Sequence, residues 1–234
     1  MKDTIDKLKE RLKVNPDDLD AHNQLASIYF YRNMCDDAIE EVKKIIALSP
    51  HDATPYVNLG LAYAKKEMVD EAIEEFKKVI EIEPGHINAH YHLANAYICQ
   101  EKFDEAITEF NKILEIDPKN RSAYDRLGFL YFSTGRYDEA IGSAKKMLEL
   151  FPDDALIYSN LGGVYIAAGR IDEGLETLDR ALKIDPEEPN IYKNLAAAYE
   201  KNGMEEEAEK ANQRFKELIT QLEGPSRASG CRLQ

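Results

Sequence analysis

The chain has 234 residues, 44% of them hydrophobic, and 44 acids against 30 bases give a formal net charge of −14. That apolar content suffices for a large core and argues against disorder over most of the length. The acidic balance argues against nucleic acid as the main ligand, because phosphate binding needs a basic face, and against adsorption to anionic membrane. Three scattered cysteines, Cys35, Cys99 and Cys231, show no CxxC spacing and fit a reducing cytosol, so a cytoplasmic location is expected. The charged start MKDTIDKLKER lacks the apolar stretch of a signal peptide, and no apolar run is long enough for membrane insertion.

Residues 3–14 read as a lone helix. Ile5, Leu8 and Leu12 share one face, while Thr4 and Arg11 leave another polar, as expected where no partner helix covers it. An eight-residue line then recurs: HNQLASIY at 22–29, YVNLGLAY at 56–63, HYHLANAY at 90–97, YDRLGFLY at 124–131, YSNLGGVY at 158–165 and YKNLAAAY at 192–199. Each copy starts 34 residues after the one before. Its aromatic or His, its Leu and its Tyr fall at i, i+3 and i+7, one face of a helix. A column of small residues runs beside them: Ala26, Gly60, Ala94, Gly128, Gly162 and Ala196.

A second helix follows each copy. Asp36, Asp70, Asp104, Asp138 and Asp172 stand where an N-cap is wanted, and the apolar residue before each suits a hydrophobic staple. A second small column follows: Ala38, Ala72, Ala106, Ala140, Gly174 and Ala208. Gly135, Gly169 and Gly203 fall in the turn between the helices, where a left-handed residue is expected. Pro16, Pro50, Pro84, Pro118, Pro152 and Pro186 end the second helices, because proline cannot continue them. Ala72 and Val79 are expected to pack on the partner helix, Ile73, Phe76 and Ile80 on the next pair, and Glu75 to lie on the outer surface. Gly142, Ser143 and Ala144 interrupt this pattern and predict a soft junction with the following pair. In residues 205–222, Glu209, Asn212 and Lys216 replace the face a further pair would cover, which predicts a solvent-facing end.

These columns resemble the tetratricopeptide repeat, a 34-residue helix–turn–helix unit, over roughly residues 1–222. Trp is absent, and His22, Tyr56, His90, Tyr124, Tyr158 and Tyr192 fill its place. The resemblance implies an all-α fold: a right-handed α-solenoid superhelix of stacked repeats. Residues 1–18 are expected to form a capping half-repeat. The repeats are expected at 19–52, 53–86, 87–120, 121–154, 155–188 and 189–222, with 223–234 a disordered tail or an expression scar. The last four residues, Cys-Arg-Leu-Gln, also form a permissive match to a prenylation box.

In this family the first helices line a concave groove that often holds an extended peptide. Carried onto this sequence, the groove positions give Gln24, Asn58, Leu61, Tyr91, His92, Asn95, Arg126, Phe129, Phe132, Asn160 and Asn194. Amides offer both donor and acceptor to a peptide backbone, and the column at Gln24, Asn58, His92, Arg126, Asn160 and Asn194 resembles the asparagine ladder of O-linked N-acetylglucosamine transferases. Chaperone-tail binding by a carboxylate clamp is disfavoured, because Val57, Tyr91 or Asp125 stands where the first Lys is required. No phosphate loop, HExxH or GxSxG motif appears, so no catalytic residue and no cofactor is expected. His86 and His90 have i, i+4 zinc spacing, but His90 stands in a core column, so no metal is expected. The expectation is a non-enzymatic scaffold for a protein or peptide partner, or else a homo-oligomer assembling through the groove or the array ends.

Overall fold

The computed structural model describes residues 2–223. The tail with its Cys-Arg-Leu-Gln end lies outside them. Among the described residues there are thirteen α-helices and no strand. They are α1 (Lys2–Val14), α2 (Leu19–Tyr31), α3 (Cys35–Leu48), α4 (Ala53–Lys65), α5 (Val69–Ile82), α6 (Ile87–Cys99) and α7 (Phe103–Ile116). Then come α8 (Arg121–Ser133), α9 (Tyr137–Leu150), α10 (Ala155–Ala167), α11 (Ile171–Ile184), α12 (Pro189–Lys201) and α13 (Glu205–Glu223). The chain divides into two compact units between Ala123 and Tyr124.

In the first unit α2 packs on α3, α4 on α5 and α6 on α7, while α3·α4 and α5·α6 contacts join successive pairs. Val42, Ile45, Leu59, Ala72, Phe76 and Leu93 form its continuous core. Ile5 and Leu8 of α1 are buried against Leu25 and Tyr29 of α2. Thr4 and Arg11 are exposed as expected. Arg11 is nonetheless engaged: its Nη2 lies 2.8 Å from Asp18 and 3.1 Å from Asp20, so α1 grips the first turn of α2. In the second unit α10 contacts α9, α11 and α12, and α12 packs on α13. Ala208, Ala211 and Leu218 bury one face of α13. Glu209 and Lys216 face solvent. Asn212 differs from expectation: it is half-buried, and its Nδ2 donates to Glu200 Oε1 at 3.3 Å.

The second helices start one residue before the Asp column, so Asp36, Asp70, Asp104, Asp138 and Asp172 occupy the second helical position and are not caps. There they face the positive helix end. Several also meet the neighbouring pair: Lys66 donates to Asp36, Gln100 to Asp70 at 2.7 Å, and Arg170 approaches Asp138 at 3.6 Å. True side-chain caps stand on the first helices, where Asp18, Asp52, His86, Asn120, Asp154 and Glu188 accept backbone N–H groups. Glu75 also departs from expectation. It lies three residues after Ala72, hence on the partner-facing stripe, and is buried, with Oε1 3.0 Å from Lys78 Nζ.

Every first helix ends alike. Met34, Met68, Lys102, Arg136, Arg170 and Met204 donate their backbone N–H to the carbonyl of the column Tyr five residues back, the six-to-one bond of a Schellman turn. The residue before each donor is left-handed. It is glycine at Gly135, Gly169 and Gly203, with φ of 74°, 79° and 72°. In the first unit the same turn is made by Asn33, Glu67 and Glu101, with φ of 60°, 60° and 58°. A side chain there costs about 1–2 kcal/mol against glycine. Glu67→Gly and Glu101→Gly should therefore each stabilise the protein by about 1 kcal/mol, measured by urea unfolding. Unchanged or lower stability would show that these turns relieve the strain otherwise.

In α9 the interrupted pattern at Gly142–Ala144 leaves a polar group buried. Ser143 is buried and its Oγ has no hydrogen-bond partner among the described residues, which costs about 1–3 kcal/mol. Gly142 is exposed and interior to α9. Amide hydrogen exchange should show weaker protection in α9 than in α5, whose equivalent position is the paired Glu75. Ser143→Ala should restore part of the difference, and equal protection in wild-type α9 and α5 would refute the weakness.

Candidate functional site

In the first unit the expected groove positions lie on α2, α4 and α6. Gln24 is exposed, but its Nε2 donates to Asp20 Oδ2 at 2.8 Å. Asn58 is exposed and makes no side-chain hydrogen bond among the described residues. Leu61, one turn further along α4, is 40% exposed. On α6 the side chains are more engaged. Asn95 Nδ2 donates to the Tyr91 carbonyl at 2.9 Å, and Tyr91 sets its ring edge-on to Phe110 at 5.6 Å. His92 stacks on Phe76 at 5.3 Å. Burial, and then the neighbouring His86, hold the His92 imidazole below the usual histidine range. His92 is thus a neutral ring at physiological pH and offers a partner no charge.

In the second unit the positions lie on α8, α10 and α12. Phe129 is 63% exposed and Phe132 43%, the latter edge-on to Tyr137 at 5.8 Å. Arg126 and Asn160 are exposed, and Asn160 makes no side-chain hydrogen bond among the described residues. Asn194 is half-buried and already engaged. Its Nδ2 donates to the Ser159 carbonyl at 2.9 Å and reaches Ser159 Oγ at 3.2 Å. The absent side chain of Gly163 makes room for it, since a Cβ there would lie 3.2 Å from the Asn194 amide. Two turns on, Lys201 Nζ donates to the Ile166 carbonyl at 2.8 Å, so α12 is tied twice to α10. The expected polar column is therefore not uniform. Asn58 and Asn160 keep their amides open to solvent, whereas Gln24 and Asn194 serve the fold.

The histidines with zinc spacing have other work. His86 Nδ1 accepts the Ala89 N–H at 3.0 Å as the cap of α6. His90 is buried, with Nε2 3.0 Å from the Pro84 carbonyl and Nδ1 2.6 Å from Glu109 Oε2. His22 repeats the arrangement with Pro16 at 2.8 Å and Glu41 at 2.5 Å. A carbonyl only accepts, so Nε2 is the donor to proline in both rings, and Nδ1 faces the carboxylate. No ring nitrogen of His22 or His90 is left for a metal. Among the described residues no three His, Cys, Asp or Glu cluster to hold one. Among them, too, no helix is long and apolar enough to cross a membrane.

Models of the tetratricopeptide repeat match residues 23–87, 63–128 and 131–197. The chain belongs to the tetratricopeptide repeat family, as an all-α helical-repeat solenoid. Among solved structures it is similar to MamA from Desulfovibrio magneticus, with 22% identity, TM-score 0.61, and coverage of 74% of this chain and 97% of that one. It is also similar to YrrB, described as a TPR protein with an unusual peptide-binding site, with 23% identity, TM-score 0.60, and coverage of 79% and 95%. A tetratricopeptide repeat protein from Parabacteroides merdae matches at 19% identity and TM-score 0.57, covering 92% of this chain and 89% of its own. A comparison with curated proteins finds no match.

The buried Glu41 gives a pH dependence of known sign. Burial opposes its ionisation, but hydrogen bonds from Lys44 and His22 outweigh this and hold its carboxyl below the usual value of 4.5. A carboxylate depressed in the folded state stabilises fully above that value, and the contribution is lost as pH falls through the folded pKa. Stability in urea should therefore fall as pH drops below 4.5, and Glu41→Ala should flatten that fall while costing about 3 kcal/mol at neutral pH. An acid limb identical in wild type and Glu41→Ala would remove Glu41 from the account.

Proposed function

We propose that this chain is a non-enzymatic protein-interaction scaffold that holds an extended segment of a partner protein along the first-helix faces of its units. The observation that carries this reading is the coincidence of open amides with exposed apolar side chains. Asn160 accompanies Phe129 and Phe132, and Asn58 accompanies Leu61. An amide can bond peptide backbone in both directions, and a large apolar side chain kept in water gains when a partner covers it. The likeness in fold to a repeat protein with a peptide-binding site supports the reading. In it, residues 1–18 act as a capping half-repeat, and 19–222 supply six repeats.

The test compares captured partners for wild type, Phe129→Ala/Asn160→Ala, Asn58→Ala/Leu61→Ala and an outer control. Glu75 is unsuitable as control because it is buried, whereas Glu74 has a side chain 65% exposed. With folding checked by circular dichroism, each double variant should lose partners, since truncating a central aromatic or apolar anchor costs about 2 kcal/mol or more. Glu74→Ala should bind as wild type. Recovery of the same partners by both double variants would overturn the reading.

A further inference from the structure

Two residues of the second unit break a pattern that the other repeats keep. Position 156 is Leu, while the equivalent positions are Asp20, Thr54, Asn88, Ser122 and Asn190. Position 151 is Phe, while its equivalents are Asn15, Ser49, Glu83, Asp117 and Asp185. Five polar equivalents show that the fold does not need an apolar side chain at either place. Leu156 is nevertheless 37% exposed, and Ile184 beside it is 40% exposed. With Phe151 they line a notch of about 640 Å³ between the loops at 151–154 and 185–188.

The charges around this notch select its occupant. Asp153, Asp185 and Glu188 line it, and no lysine or arginine does. The two loops read Phe-Pro-Asp-Asp and Asp-Pro-Glu-Glu, whereas the loops at 83–86 and 117–120 contain His86 and Lys119. The equivalent loop at 15–18, Asn-Pro-Asp-Asp, is also acidic, but there Arg11 pairs with Asp18, whereas at the notch the acids stand beside the apolar departures. An anionic or neutral apolar segment would bury Leu156 but leave the carboxylates desolvated and unpaired. A segment with an apolar side chain flanked by lysine or arginine satisfies both.

We propose that this notch docks a basic, apolar-centred segment of a partner protein: one leucine-like side chain seated on Phe151, Leu156 and Ile184, with flanking cations against Asp153 and Asp185. The site is separate from the first-helix reading and stands or falls without it.

The probe is a fluorescein-labelled peptide of alternating lysine and leucine, followed by anisotropy against the full chain. A glutamate–leucine peptide and a lysine–glycine peptide are the comparisons. Binding of the lysine–leucine peptide should weaken at least about tenfold in Leu156→Asn and in Asp153→Asn/Asp185→Asn, and either comparison peptide should bind at least about tenfold more weakly. Leu156→Asn uses the residue type of Asn88 and Asn190, and Leu156→Thr, the type of Thr54, serves if it folds poorly. Phe129→Ala/Asn160→Ala should leave peptide binding unchanged, which separates this site from the first-helix face. Undiminished binding in Leu156→Asn would mean general adsorption to an acidic chain and would overturn the proposal, as would no binding at all. Self-association abolished by Leu156→Asn, without peptide binding, would give the notch to a second copy and overturn it equally.

Discussion

The closest approach of paired helices is the constraint from which the rest of this structure follows. A Cβ at Gly60 would come within 2.6 Å of the Phe76 ring, and one at Gly162 within 2.7 Å of the Leu178 side chain. At Gly174 a Cβ would meet Ile166 at 2.7 Å and the Gly162 carbonyl at 3.2 Å, so α10 and α11 touch backbone to backbone. Phe76 and Leu178 are fully buried because their pairs close to this distance. Interior glycine costs about 1 kcal/mol in a helix, and here the cost is offset by burying a large side chain against the space it leaves. Pairs of one thickness can be stacked by one repeated rule, and this holds the period at 34 residues without insertion.

The prolines have a second role beside ending helices. The polar tip of the column that replaces Trp reaches the proline carbonyl six residues back: Tyr56 to Pro50 at 3.1 Å, Tyr192 to Pro186 at 2.8 Å, and His22 and His90 likewise. A carbonyl at a helix end needs a donor, and a Tyr or His supplies one where Phe or Leu could not. The second-helix column beside it reads Glu41, Glu75 and Glu109 in the first unit, then Ser143, Thr177 and Ala211 in the second. Where that column meets His, the carboxylate hydrogen-bonds the ring. Where it meets Tyr, the tip is already satisfied by proline and the carboxylate turns to a lysine, as Glu75 does to Lys78.

Features repeated six times were legible in the sequence because repetition separates what packing requires from what it tolerates. The helix pairs and the two small columns were of this kind, while the glycine turns, present three times, and the apolar stripe of α1 were read from local pattern alone. Features set by a shift of one residue were not. The Asp column resembles a row of caps, yet the helices start just before it, because the Schellman turn places its closing N–H at residues 34, 68 and their equivalents. Glu75 resembles a surface acid by residue type, although its place three residues after Ala72 puts it on the partner-facing stripe, where Lys78 pairs with it. Glu67 and Glu101 in left-handed turns give no compositional signal, since glycine marks that position only in the second unit.

One column explains why the expected polar ladder is broken. Ser27, Leu61, Asn95, Phe129, Gly163 and Ala197 occupy equivalent places on the first helices. At Gly163 the missing side chain lets Asn194 of the next pair lean in and bond Ser159, so that amide becomes part of the stack. The residue equivalent to Asn194 in the pair before is Asn160, and it follows Phe129 in place of Gly163. Phe129 is 63% exposed, and Asn160 is exposed as well. Where the side chain is absent altogether, as at Gly163, the next amide serves the fold; Ser27 and Phe129 are each followed by an exposed amide, Asn58 and Asn160. A glycine knits two repeats together at the expense of a recognition group. At the equivalent places of the pair before, Phe129 and Asn160 are both exposed, and the proposed partner contact would fall on them.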